Sequence, residues 1–395
     1  MTPQEAMQDF DSRYPAMADL RKRAYRRMPK FAFEYLDGGC NEDVNLDKNI
    51  SDIQRVELEP RYLTPPPSYD ISTKLFGETY SAPFGVAPVG LQGLMWPNSP
   101  LILAKAAHRH NIPFCLSTVT TASIEQIAEA TQGKAWFQLY YPAEEKILFD
   151  IMDRARSNEY KVFVALADVP TFGYRPRDIR NGLAMPPKMN LANIIQMFLH
   201  PTWAFNSLRY GRPNFNSLEK YMGGKMNLKQ LGKFMNDTFN GRLDLEKLKV
   251  LRDRWDGKLV VKGIVNESDC EEVIKLGIDG IIVSNHGGRQ LDAGQSTIVP
   301  LSKLVEQFKG KLTIMMDSGI RSGPDIARTI ATGADFTFMG RSFMYGVGAL
   351  GSRGGNHVMA MMKRQLQQVL EQLGCPNVQE LPNYLIRAAV DKSSI

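Results

Sequence analysis

Eight short β-prone runs, each followed by a stretch of helical periodicity, constrain this chain more than any other feature. The runs are Phe84–Val89, Phe114–Thr118, Ala135–Tyr140, Val162–Ala167, Leu259–Gly263, Gly280–Ser284, Leu312–Met316 and Phe336–Met339. Between them lie amphipathic segments at Ser99–His110, Ser123–Ala130, Glu144–Arg156, Ser268–Leu276, Pro300–Phe308 and Pro324–Ala331. Strands that are apolar along nearly their whole length are covered on both faces, and their alternation with helices makes the sheet parallel. Eight such units in succession predict an α/β fold, a (β/α)8 TIM barrel. A doubly wound open sheet is the other topology this pattern allows. Residues 1–75 read as an N-terminal helical cap with the turn-rich Thr64-Pro-Pro-Pro67 towards its end, and 76–395 as the barrel.

One interval breaks the rhythm. Leu183–Leu245, after the fourth run, has no strand pattern and exceeds an ordinary connection, so it is an excursion with its own task or a disordered segment. It carries Lys188, Arg209, Arg212, Lys220, Lys225, Lys229, Lys233 and Arg242 against Glu219, Asp237 and Asp244, which places nearly all of the formal charge of +6 here. It also holds the apolar, aromatic run Ile194–Phe205, flanked by Arg209 and Arg212. Apolar anchors beside basic residues fit a segment lying in an anionic membrane interface; a lid with a solvated basic face is the alternative. No run approaches the roughly 18 apolar residues of a membrane-spanning helix. The N-terminal stretch, with Glu5, Asp9, Asp11 and Asp19, lacks the apolar segment of a signal peptide. A hydrophobic content of 43% with 23% charge excludes general disorder. Cys40, Cys115, Cys270 and Cys375 have no CxxC spacing, which points to reduced cytosolic thiols and to neither a disulfide frame nor a metal site.

In such a barrel the polar residues at C-terminal strand ends face the active site. Here those ends carry Gln138 and Tyr140, then Asp168, then Lys262, then His286 and Arg289, then Asp317 and Arg321, then Gly340-Arg341. A lone histidine is more often a structural group, but six successive ends with such residues are not explained that way. After His286, Gly287-Gly288 let the loop turn so that Arg289 faces the same mouth. Asp317-Ser-Gly-Ile-Arg-Ser-Gly323 and Met339-Gly-Arg341 supply small residues, backbone N–H groups and two arginines at the seventh and eighth junctions, where barrels commonly hold phosphate. Gly346-Val-Gly-Ala-Leu-Gly351 formally matches GxGxxG, but it falls too late for the first turn of a βαβ unit, so a nicotinamide-binding reading is weak.

Taken together, these residues resemble the FMN-dependent α-hydroxy-acid oxidase and dehydrogenase family over about Phe31 to Tyr384. The most specific element is Ser284-Asn-His-Gly-Gly-Arg-Gln-Leu-Asp292; Trp136-Phe-Gln-Leu-Tyr140, Leu259-Val-Val-Lys-Gly263, Asp317-Ser-Gly-Ile-Arg321 and Gly340-Arg341 support it. The resemblance implies that His286 is the base, with its imidazolium stabilised by Asp168. Arg289 and Arg175 would clamp the substrate carboxylate with help from Tyr35, and Tyr140 would bond on the hydroxyl side. Lys262 would neutralise charge on the reduced flavin. Ser117, Gln138, Ser284 and the Pro88-Val89-Gly90 backbone would touch its ring. Asp317 would hold the ribityl chain, Gly319 would belong to the cofactor-binding set, and Arg321, Gly340 and Arg341 would hold the phosphate. The chain departs from the family at Val89 and Leu166, where threonines are usual beside the flavin, and at Val119, which replaces a bulky aromatic of glycolate oxidases. The expectation is FMN-dependent oxidation of an L-2-hydroxy acid, lactate first and mandelate or a longer acid next. Quinone is the expected acceptor, with oxygen the alternative. A homotetramer, peripheral on the cytoplasmic side of the inner membrane, follows by resemblance, with a cytoplasmic location the alternative. A non-catalytic anion-binding barrel is the competing class. Nucleic acid is not expected, since no recognition helix or aromatic-rich basic strand is present.

Overall fold

The computed structural model describes residues 9–63, 68–183, 190–211, 214–222, 230, 233–234, 237–239 and 242–386. Thr64–Pro67 and the basic residues Lys188, Arg212, Lys225 and Lys229 lie outside the described residues.

All eight expected runs contain a strand: β3 (Phe84–Val86), β4 (Cys115–Ser117), β5 (Trp136–Leu139), β6 (Val162–Leu166), β7 (Lys258–Lys262), β8 (Gly280–Val283), β9 (Thr313–Met316) and β10 (Phe336–Met339). They pair in parallel in the order β3-β10-β9-β8-β7-β6-β5-β4. A parallel bridge between Val86 and Phe114 joins the two ends of that order and closes the ring. The TIM barrel is therefore the observed topology. The six expected helices form at Ser99–Arg109, Ile124–Thr131, Glu145–Ser157, Glu267–Lys275, Ile298–Phe308 and Gly323–Ala331. Local signals start several of them: the Ser123 and Gln126 side chains form a reciprocal capping box, and Asn266 and Ser322 each accept an N–H in the first turn.

Strand period sets the site. Cys115, Trp136, Val164, Val260, Ile282 and Met315 belong to the apolar cluster inside the barrel. Side chains two residues further along a strand point the same way, so Ser117, Gln138, Leu166, Lys262, Ser284 and Asp317 form the next layer up. Register agrees, with Ser117 opposite Gln138 and Leu166 opposite Lys262. The barrel is greasy below and polar at its mouth.

An antiparallel hairpin, β1 (Thr73–Leu75) with β2 (Glu78–Tyr80), closes the other end. Its turn places Phe76 and Gly77 at φ 51° and 85°, and Phe76 lies 5.8 Å from the Trp136 ring while Tyr80 lies 5.7 Å from Phe336. Strands of three residues are too short to show a period, so this plug leaves no periodic signal to read.

Helices Met17–Arg27, Lys30–Asp37 and Val44–Gln54 occupy the N-terminal region. The excursion contains helices Leu191–Leu199 and Pro201–Tyr210, separated where Pro201 cannot continue the hydrogen-bond ladder. Trp203, read as part of one apolar run, turns inward: its Nε1 donates to the Met95 carbonyl at 3.0 Å and its ring meets Phe31 edge-on.

The GxGxxG match is a packing device. Gly346 and Gly348 lie within helix Arg341–Leu350. A Cβ on Gly354, in the following helix, would stand 2.1 Å from the Gly346 carbonyl oxygen, and one on Gly348 would stand 2.6 Å from Met28 Sδ. Backbone cannot yield as a flexible side chain can. Gly354→Ala is therefore expected to cost about 3 kcal/mol, read as a lower denaturant midpoint at unchanged slope. An unchanged midpoint would show that these helices separate freely.

Candidate active site

Charged residues from four adjacent strands meet at the barrel mouth. Asp168 Oδ1 lies 3.0 Å from His286 Nδ1, and Asp168 Oδ2 accepts from Lys262 Nζ and from Ser284 Oγ, each at 3.2 Å. Lys262 also donates to Ser284 Oγ at 2.7 Å and lies 3.3 Å from Asp317 Oδ2. Burial alone would raise the Asp168 carboxyl, but Lys262 and His286 outweigh it and hold the group anionic. Burial likewise opposes the Lys262 charge, and the two carboxylates restore it and raise the ammonium above its usual range. For His286 burial wins: it lowers the imidazole below its ordinary value despite Asp168. A neutral ring whose Nδ1–H faces a carboxylate leaves Nε2 as the basic nitrogen.

The loop after β8 achieves this placement by left-handed backbone. His286, Gly287 and Gly288 take φ 58°, 68° and 73°, and a Cβ on Gly288 would meet the Leu46 nitrogen at 2.6 Å. The Asn285 side-chain NH2 donates to Asn45 and Asn49 at 3.0 and 2.8 Å, pinning the loop to helix Val44–Gln54. Neutral asparagines in a helix carry no sequence signal, and this clasp was not anticipated.

Arg289 donates from Nη1 to the carbonyls of Tyr35 and Gly38 at 2.6 and 2.8 Å and lies over the Tyr35 ring at 4.9 Å. Its Nη2 is buried without a hydrogen-bond partner. Arg175 donates to Gln290 Oε1 at 3.0 Å and to the Arg289 carbonyl at 3.3 Å. Asp178 lies between the two guanidiniums, 3.6 Å from Arg289 and 3.9 Å from Arg175. Burial raises its carboxyl above the usual range in spite of both arginines. Burial and then Arg175 push Arg289 down to about 10, which leaves it cationic at neutral pH. Asp178 belongs to the short helix Pro176–Arg180 inside a loop, so no strand end marked it; only its i+3 spacing from Arg175 could have.

Every site residue expected from the sequence lines one cavity of about 1150 Å3, open mouth included, except Asp168 and Ser284, which lie behind His286 and Lys262. Val89, Leu166 and Val119 line it too. Ser117 donates to Gln138 Oε1 at 3.0 Å, so the amide presents Nε2, which is buried and has no partner. An orphan donor in a roomy wall fits a heteroaromatic ring with carbonyl acceptors. Below it, Ser318 and Gly319 turn at φ 77° and 84°, and helix Arg341–Leu350 starts at Gly340, offering backbone N–H groups to an anion. Arg321 lines the same end. The Arg341 side chain is otherwise engaged, donating to the carbonyls of Leu36, Gly287 and Gly38 at 3.0, 2.7 and 2.7 Å. Its help to a phosphate would come from its main chain. These features fit FMN.

Known proteins agree. Residues 24–388 match the FMN-dependent dehydrogenase family. An L-lactate dehydrogenase of Acinetobacter baylyi is 34% identical over 92% of this chain and 94% of its own. One of Ectopseudomonas mendocina is 35% identical over 94% and 98%. Among solved structures, the monotopic membrane protein (S)-mandelate dehydrogenase superposes with a TM-score of 0.88 at 33% identity, covering 94% of this chain and 98% of that one. A mandelate oxidase follows at 0.79 and 28%, covering 93% and 97%. With nearly the whole length matched in sequence and in fold, the chain belongs to the FMN-dependent dehydrogenase family, and FMN is the cofactor its barrel serves.

Proposed function

We propose that this enzyme oxidises an L-2-hydroxy acid to the 2-oxo acid with His286 as base, and that its electrons pass to a quinone at a membrane. The observation that carries the reading is a neutral histidine, tied through Nδ1 to Asp168, in one cavity with Arg289, whose Nη2 makes no hydrogen bond and has only Asp178 at 3.6 Å as its ion-pair partner. An arginine fork recognises a carboxylate well, and Arg175 adds a second cation. With the acid held there, His286 Nε2 takes a proton from the substrate, and Asp168 stabilises the imidazolium that results. Burial, with Asp168 adding to it, keeps the Tyr140 phenol protonated, so it can donate to the substrate oxygen. FMN, when bound, would supply the two-electron acceptor for this oxidation, and Lys262, which lines the cavity, would offer positive charge where negative charge develops. The relatives named L-lactate dehydrogenase support lactate as a substrate. Anaerobic bleaching of the yellow flavin by L-lactate and larger L-2-hydroxy acids tests the reading; a flavin that no such acid reduces would sink it.

The membrane part rests on the excursion. Its helices Leu191–Leu199 and Pro201–Tyr210 expose Leu191, Phe198, Leu199, Phe205 and Leu208, with Phe198 80% and Leu208 84% accessible. No described helix is long and apolar enough to cross a bilayer, so the segment would lie in the interface. The structural neighbour described as a monotopic membrane protein supports this. Of the basic residues, Arg209 adjoins the apolar face, whereas Lys220 is paired with Asp150 at 2.7 Å. The cytoplasmic side of the inner membrane is the proposed location.

Three outcomes are expected. His286→Gln keeps its flavin and slows flavin reduction by at least about a hundredfold; a loss under tenfold would refute the role of base. For the pH profile, burial lowers the His286 pKa, so the acid limb of kcat/KM lies below the ordinary imidazole value of about 6.5. Asp168 raises that pKa, so Asp168→Asn should move the limb to still lower pH while the maximum falls; an upward move would assign the limb to another group. Finally, Phe198→Asp with Leu208→Asp should abolish co-sedimentation with anionic vesicles while the flavin stays bound. Equal sedimentation of variant and parent would exclude these helices as the membrane contact.

A further inference from the structure

We infer that Phe215 determines substrate specificity, closing the active-site cavity with an apolar wall suited to a bulky uncharged side chain, branched or aromatic. This rests on the hydroxy-acid reading above. The ring order places the β3 and β4 loops diametrically across from β8 and β7. His286 and Arg289 follow β8, so they face what the β3 and β4 loops carry. Those loops bring Leu91, Met95 and Val119 to the cavity, with the Leu91 N–H donating to the Val119 carbonyl at 2.9 Å. Phe215 reaches the same cavity from the excursion and is 1% exposed.

Its position is fixed rather than loose. Asn216 Nδ2 donates to the Thr121 carbonyl at 2.9 Å and Ser217 Oγ to the Ala122 carbonyl at 3.0 Å, both just beyond Val119. Arg154 donates to the Ser217 carbonyl at 2.8 Å, and the Leu218 N–H to the Phe215 carbonyl at 2.9 Å. A single segment is thereby stapled to the loop after β4 with its aromatic ring turned inward. Among the described residues, those that the loops after β3 and β4 and residues 214–222 bring to the cavity are all uncharged, so a second carboxylate on the substrate would be buried against this wall without an adjacent counter-ion. A methyl group would leave most of this wall untouched, whereas a larger apolar group gains contact for each carbon it places against it.

The test is anaerobic stopped-flow reduction of the holoenzyme by L-lactate, L-2-hydroxyisocaproate, L-phenyllactate and L-2-hydroxyglutarate, comparing reduction rate over dissociation constant. The bulky apolar acids should exceed lactate by about tenfold or more, the scale of one or two methylenes in an apolar pocket, and hydroxyglutarate should be the poorest. In Phe215→Ala the ratio of the bulky acids to lactate should fall by roughly tenfold; in Phe215→Leu it should fall less. Phe215→Leu carries the test alone if the alanine variant fails to retain flavin. A ratio unmoved in the variants, or hydroxyglutarate as good as the apolar acids, overturns the inference. Native enzyme whose flavin none of the four acids reduces would instead refute the hydroxy-acid reading itself.

Discussion

A buried ion pair, Lys262 with Asp168 at 3.2 Å, is the interaction on which the mouth of the barrel depends. Taking either charge out of water costs several kcal/mol, and removing one partner strands the other. The pair is tolerated because it is embedded: Lys262 also reaches Ser284 and Asp317, and Asp168 also meets His286. These residues follow or end β6, β7, β8 and β9, four consecutive neighbours in the ring. The network thus ties together strand ends that have no further backbone ladder to hold them. It also fixes which nitrogen of His286 faces the cavity, so structural and chemical demands fall on the same carboxylate.

The roof over the site depends on the same loop. Helix Lys30–Asp37 ends at the barrel mouth, and its last carbonyls need donors. Arg289 supplies Tyr35 and Gly38, and Arg341 supplies Leu36 and Gly38. Cations at a helix C-terminus are favoured by the dipole as well as by hydrogen bonding. Nearby, Asp37 accepts two bonds from Arg21, at 2.6 and 2.7 Å, and one from the Tyr345 hydroxyl at 2.7 Å. Burial would lift this carboxyl, and Arg21 and Tyr345 hold it below its usual range. An arginine held to the roof through Nη1, with Nη2 making no hydrogen bond and lying 3.6 Å from Asp178, is already oriented, so an anion bound there would meet a lower ordering cost.

The barrel was legible because its strands are buried on both faces and its helices carry cap residues. The site was legible because side-chain direction repeats every two residues: Lys262 two beyond Val260, Ser284 two beyond Ile282, Asp317 two beyond Met315. Leu166 occupies the same layer, so the position without a polar group could be read in the same way. Other features had no such period. The hairpin strands are too short, Asp178 is inside a loop helix, and Asn45 and Asn49 are neutral groups on an otherwise ordinary helix. Sequence placed Arg341 and Trp203 but could not give their direction. Both turn towards backbone carbonyls, and direction of that kind is settled by partners remote in the chain.

The excursion is best understood as one insertion with two faces. Outward, it carries exposed side chains such as Phe198, Leu199 and Leu208. Inward, Trp203 is bonded to the carbonyl of Met95, which lines the cavity, and Phe215 lines it directly. Gln196 accepts the Phe31 N–H at 3.2 Å, and Asn193 donates to the Asn181 carbonyl at 2.9 Å, so the outer helices are keyed into both the cap and the loop that carries Arg175. The exposed apolar face and part of the cavity wall are therefore carried by the same insertion. Removing the whole segment would strip away that surface and a cavity wall together. Only substitutions confined to one face, polar outside or smaller inside, separate attachment from specificity.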